Sequence, residues 1–278
     1  MRPANIVLSA LCMAAVVVAV TIAWRGRNLR LVTDRPSDPE SPSAAAQDAV
    51  RSVATVLAAG LVAGVLVVGL GGRLVMRALA ATSGDAAQCR LTEADQIVGE
   101  ITLDGSVGFV LFAGLLLPAG ASFIYLAIRR FLPDPVCIGG LIFGLLLLAT
   151  FGVDDPLSPT NVDFRILSPL PLAVALVAMT ALLFGVTFAA LAARLDVCMS
   201  PVGADSWSGK LGYLSLVALI FPPYLLVTLA YVAARAVLRG RVGLILDERR
   251  FQLAGRVLVL LAAIAATIVV IRTTTEIV

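Results

Sequence analysis

The side chains able to do chemistry in this sequence are concentrated in two connectors between apolar runs. The longer is residues 71–105, GGRLVMRALAATSGDAAQCRLTEADQIVGEITLDG, and the shorter is residues 152–165, GVDDPLSPTNVDFR. Together they hold the carboxylates Asp85, Glu93, Asp95, Glu100, Asp104, Asp154, Asp155 and Asp163, against Arg73, Arg77, Arg90 and Arg165. Carboxylate oxygens gathered at that density suit a hard cation such as Ca2+ or Mg2+. There is no EF-hand spacing, however, and single carboxylates scattered over a loop are ordinarily solvated. No metal and no cofactor is therefore assigned. Arg73 and Arg77, four residues apart, share one helix face and could hold a phosphate or carboxylate. Arginines at helix ends more commonly reach lipid headgroups. The candidate polar cluster is Arg73, Arg77, Glu93, Asp95, Glu100, Asp154, Asp155 and Asp163.

Other chemistry is thin. The chain contains no histidine, which excludes histidine-ligated haem and zinc, His-based triads and histidine proton relays. A Ser-Lys hydrolase would have to use the one lysine, Lys210, with Ser206 or Ser208 beside it, and that spacing has no active-site context. The cysteines Cys12, Cys89, Cys137 and Cys198 form no Cys-x-x-Cys pair and read as isolated thiols. No catalytic residue is assigned.

The elements that must position these groups are membrane helices. The 278 residues are 60% hydrophobic and 14% charged, where soluble domains run near ~25% charged. The excess lies in runs long enough to cross a bilayer, which takes ~20 residues of helix. The fold class is all-α, a polytopic transmembrane bundle of about seven spans, placed near residues 5–24, 50–72, 106–128, 136–152, 169–193, 211–234 and 253–271. Pro118 and Pro222-Pro223 fall inside spans and are expected to kink them. Four regions follow: a signal-anchor helix over 1–30, a Pro/Ser-rich linker over 31–49, a core over 50–195, and a two-span region with an Arg-rich loop over 196–278.

Within the long connector, Thr82-Ser83-Gly84-Asp85 reads as a helix stop, with Gly84 suited to the left-handed residue that follows a helix. Thr92-Glu93-Ala94-Asp95 reads as an N-cap with acids in the first turn. A short amphipathic helix through Ile101 is expected, closed by Asp104-Gly105.

The core shows an internal likeness. GLVAG at Gly60–Gly64 matches GLIFG at Gly140–Gly144, and GASFIYLAIR from Gly120 matches GVTFAALAAR from Gly185. Two consecutive hairpins thus share a pattern, which points to a duplicated two-helix unit facing the same way. The spacing of Gly60 with Gly64 and of Gly140 with Gly144 is the GxxxG signature of close helix packing. If the hairpins are copies, the two polar connectors lie on one membrane face.

Basic segments at 25–51, 129–130 and 194–210 alternate with these acidic connectors, which favours the connectors outside. The cluster Arg235, Arg239, Arg241, Arg249, Arg250 and Arg256 contradicts this under simple alternation. Either the orientation is reversed, or the Pro222-Pro223 span does not cross in the ordinary way.

The text MRALAATSGDAAQCRLTEADQIVGEIT, the span ending RRFLP and the NVDF connector resemble an uncharacterised family of actinobacterial multi-pass membrane proteins, over roughly residues 50–195. The resemblance implies a bacterial plasma membrane and carries no activity. Span interiors free of Asp, Glu, Lys and Arg disfavour an ion-coupled carrier. The expected role is a non-enzymatic interaction or structural bundle. A facilitative permease for a small solute is the alternative, and a membrane enzyme with a carboxylate-bound metal is third. The partners implied are the lipid bilayer and either a second copy of the chain or another membrane protein, with no nucleic acid.

Overall fold

In hydrocarbon every backbone amide must find its partner within its own segment, and each apolar run of this chain is helical. The computed structural model describes residues 3–30, 41–84, 87, 90, 103–155, 157–158, 161, 166, 168–198, 213–246 and 249–277. Helix α1 is Pro3–Gly26, α2 is Pro42–Thr82, α3 covers 103–128, and α4 is Val136–Gly152. Helix α5 is Leu170–Cys198, a 3-10 segment follows at Ser215–Ile220, and α6 (Pro222–Leu246) and α7 (Arg249–Ile277) complete the chain. No strand occurs among the described residues. Five helices are long and apolar enough to cross a membrane, lying in α1, α2, α3, α5 and α7; Val136–Gly152 and Pro222–Val237 are shorter.

Helix α2 starts inside the stretch expected to be linker. Ser41 caps it, accepting from the Ala44 amide at 3.2 Å, and Pro42 takes the first helical position, where no amide is needed. What reads as Ser/Pro linker text is a helix start. The expected stop is found: α2 ends at Thr82, Ser83 bonds back to Leu79, and Gly84 has φ +72°. The expected closure at Asp104-Gly105 is not. Both residues lie in α3, which begins at Leu103.

Helices α2 and α3 form one hairpin and α4 and α5 another. Small residues bring each pair together. A Cβ added at Gly60 would meet Ser122 and Pro118, and one at Gly64 would meet Gly114 and Pro118, all within 3 Å. In the second hairpin a Cβ at Gly140 would meet Gly185 and Val186, and one at Gly144 would meet Ala181. Aromatic rings then join the hairpins. Tyr125 of α3 stands edge-on to Phe143 of α4 (5.1 Å between centroids) and to Phe188 of α5 (4.6 Å). Helix α1 closes one side, where the Thr187 hydroxyl donates to the Ala19 carbonyl at 3.4 Å.

The two ends of the bundle differ. At one end Ser83 and Ser168 are hydrogen-bonded, so the end of α2 lies beside the residues that lead into α5. The opposite end carries Arg51, Arg129 and Arg194. There the Val136 and Cys137 amides bond to the Leu29 and Arg27 carbonyls, and Arg51 donates to the Asp196 carbonyl at 2.5 Å.

The run expected to be one span over 211–234 is two pieces. Ser215–Ile220 is a 3-10 helix, and α6 begins at Pro222, so the proline pair starts a helix instead of kinking one. Tyr224 of α6 reaches α3, its hydroxyl donating to the Leu116 carbonyl at 2.7 Å. A Cβ at Gly120 would stand 3.1 Å from that oxygen. Tyr224→Phe is expected to cost about 1 kcal/mol, the usual net worth of one hydrogen bond. A shift of the SDS unfolding midpoint checks it.

Candidate functional site at the connector end

Arg73 stands at the centre of the connector end. Helix α2 carries it past the last apolar turn, and its guanidinium lies over the Phe109 ring of α3, 5.0 Å from the centroid. Nη2 donates to the Gly105 carbonyl, Nη1 approaches Met76 Sδ at 3.9 Å, and Nε is buried without a hydrogen-bond partner. This arginine fastens the start of α3 to α2. It is partly buried under protein, whereas the sequence suggested a choice between an anion and lipid headgroups. Arg73 and Arg77 both lie within electrostatic reach of Cys12 in α1.

The second connector folds back on α4. The Asp155 amide bonds to the Phe151 carbonyl at 3.2 Å, and the Leu157 amide to the Gly152 carbonyl at 2.6 Å. Leu157 is fully buried in a small apolar cluster with Leu148 and Val174. Asn161, also buried, donates its side-chain amide to Asp155 Oδ1 at 3.4 Å. Asp154 and Asp155 are themselves exposed. Glu93, Asp95, Glu100 and Asp163 lie outside the described residues, as does the amphipathic helix expected over 92–101.

Of the candidate cluster, then, Arg73, Arg77, Asp154 and Asp155 are placed at one end of the bundle. Among the described residues no group of three or more Cys, Asp or Glu side chains is arranged to hold a metal ion. The cysteines Cys12, Cys137 and Cys198 are free thiols. A Cβ added at Gly60, Gly64, Gly140 or Gly144 would lie under 3.0 Å from the neighbouring helix. The interactions that sequence reasoning missed are side chain to backbone: Tyr224 on Leu116, Thr187 on Ala19 and Ser215 on Ala54. No motif marks them, because a lone hydroxyl bonding a distant carbonyl has no fixed spacing.

Fold and site together define an all-α, membrane-embedded, multi-pass protein whose polar connectors emerge at a common end. Comparison of the chain with protein-family models, with curated proteins and with solved structures returned no match.

Proposed function

We propose that this chain is a non-enzymatic integral protein of a bacterial plasma membrane that works by holding another polypeptide, either a second copy or a different membrane protein. The carrying observation is the closure of both hairpins. At Gly60, Gly64, Gly140 and Gly144 an added Cβ would lie under 3.0 Å from the returning helix. A solute pathway between the two hairpins needs a gap where Tyr125 of α3 packs on Phe143 and Phe188, and that packing with the glycine seams favours a closed bundle. The absence of ionisable groups from span interiors points the same way. The actinobacterial resemblance supports the choice of membrane.

The hairpins are best read as two copies of one unit. Gly60 with Gly64, and Gly140 with Gly144, each turn toward their own returning helix, and the two connectors leave at one end. The copies have diverged in the returning helix: Gly185 faces Gly140, while its counterpart Gly120 faces Tyr224 of α6.

The test uses the full chain. A photo-crosslinking residue replacing Asp154 is expected to give one discrete adduct in native membranes. The purified protein in vesicles of bacterial polar lipid is expected to admit glycerol or urea no faster than empty vesicles. Absence of an adduct overturns the reading. Rapid solute entry that Gly64→Leu abolishes establishes the permease instead.

A further inference from the structure

The segment from Tyr213 to Arg235 can be followed against α2, which serves as a ruler. Ser215 donates its hydroxyl to the Ala54 carbonyl at 3.0 Å, near the basic end of α2. Tyr213, just before it, lies within electrostatic reach of Arg51 and Asp48. By Tyr224 the chain has reached Leu116 of α3, and Leu116 lies between Gly114 and Pro118, the residues against Gly64. From Ala54 to Gly64 is a descent of about 15 Å at ~1.5 Å per residue, half of a hydrocarbon core of ~30 Å. The 3-10 helix Ser215–Ile220 rises ~2 Å per residue and covers most of that distance.

The chain then returns. Arg235 meets Asp48 at 3.4 Å, back at the basic end of α2 and before Ala54 in depth. Helix α7 begins at the same end: the Phe251 ring lies 5.9 Å from that of Phe131, just after Arg129-Arg130, and Gly255 packs on the Phe131 ring. Its far end packs at the connector end, where Val270 and Ile277 cover Leu148 and Leu157.

We propose that Tyr213–Arg235 is a re-entrant hairpin that dips to the middle of the bilayer and leaves by the face it entered. The chain then makes six crossings, with the arginine end cytoplasmic. The Pro222-Pro223 pair accounts for how a helix can start at that depth. A helix N-terminus leaves four amides without intrahelical partners, which is costly in lipid. Pro222 and Pro223 have no N–H, and the Tyr224 and Leu225 amides both bond to the Phe221 carbonyl, at 3.0 and 3.3 Å. Two of the four N-terminal positions thus have no amide to satisfy, and the Tyr224 amide is paired before the regular ladder starts at Leu225.

The same topology removes the conflict in the charge pattern. Arg235, Arg250 and Arg256 join Arg51, Arg129 and Arg194 at one end, while Arg73, Arg77 and Arg272 stand at the other. The basic face is the one that retains arginine in the cytoplasm, where the anionic leaflet attracts it. This inference does not depend on the proposed function.

The experiment is cysteine accessibility in the full-length protein, with Cys89, Cys137 and Cys198 replaced by serine and the buried Cys12 retained. Single cysteines are placed at the exposed positions Val197, Arg250 and Asp155. With a membrane-impermeant maleimide, Val197→Cys and Arg250→Cys are expected to label in inverted vesicles only, and Asp155→Cys in intact cells only. Labelling of Arg250→Cys together with Asp155→Cys means that α6 crosses, and overturns the hairpin. Labelling of Val197→Cys and Arg250→Cys in intact cells overturns the orientation. Independently, Asp48→Cys with Arg235→Cys is expected to be joined by a short bis-maleimide. Failure of that cross-link, in protein that still labels at both sites, also overturns the hairpin.

Discussion

Gly185→Val is expected to abolish most of the folded protein, with a cost of about 3 kcal/mol or more, at or above the upper end of the usual range for overpacking. The reason is what lies opposite. A Cβ on Gly185 would fall against the Gly140 carbonyl oxygen and the backbone of Gly144. Backbone cannot swing aside as the tip of a flexible side chain can, so the α4 and α5 axes must separate. That separation also opens the contact of Gly140 with Val186 and of Gly144 with Ala181 and Leu182, the tightest seam in the second hairpin. Lipid offers no hydrophobic reason for helices to re-associate at a greater distance, since association rests on van der Waals contact. The measurement is the SDS unfolding midpoint of purified protein, beside Gly108→Ala as a comparison. Nothing lies within 4 Å of a Cβ at Gly108, so that change should be neutral or stabilise by up to about 1 kcal/mol. Equal losses at both positions would mean that glycine acts there through backbone flexibility and not through close packing.

The sequence offered Gly60, Gly64, Gly140 and Gly144 by spacing alone, on a simple rule that lipid imposes. Close approach needs small residues one turn apart, and Gly60/Gly64 and Gly140/Gly144 show that spacing plainly. The helix stop at Thr82–Gly84 was legible for a similarly local reason. A left-handed residue almost demands glycine, and Gly84 has φ +72°. The linker boundary failed because Ser41-Pro42 has two local meanings, loop text or N-cap with proline at the first turn, and only the helix that follows decides between them. The 211–234 run failed for a different reason. Hydrophobic length reports how much chain lies in hydrocarbon, and a segment that crosses and one that dips and returns present the same amount. The conflicting Arg235–Arg256 cluster was the only sequence sign, and it gained meaning when Arg235 was seen beside Asp48. At the candidate site, the sequence singled out Arg73 by type and place. Its contacts with Gly105 and Phe109 were not foreseen, because the sequence suggested that a helix ended at Gly105 where α3 in fact begins.

Phe188→Ala should produce the other large loss, about 2 kcal/mol, and its size tests what holds the hairpins together. Phe188 is fully buried and its ring meets those of Tyr125, Phe143 and Phe184 at 4.6, 5.4 and 5.7 Å. In water-soluble proteins, truncation of a buried phenylalanine costs ~3–5 kcal/mol, a sum of lost transfer from water and the cavity left behind. Here the transfer part is largely missing. A helix separated from the bundle but still in the bilayer keeps its apolar side chains in hydrocarbon. What remains is the cavity, the lost dispersion contacts and the ring contacts, of which the edge-to-face pair with Tyr125 is worth about 0.5–1.5 kcal/mol. Phe112 makes the informative partner, because it lies in α3 and is 59% exposed. Phe112→Ala exchanges one lipid-facing apolar surface for another and should move the SDS midpoint by under about 0.5 kcal/mol. A loss at Phe112 equal to that at Phe188 would mean that apolar bulk anywhere in the span sets stability. The four-ring contact between the hairpins would then have no special part in holding them side by side.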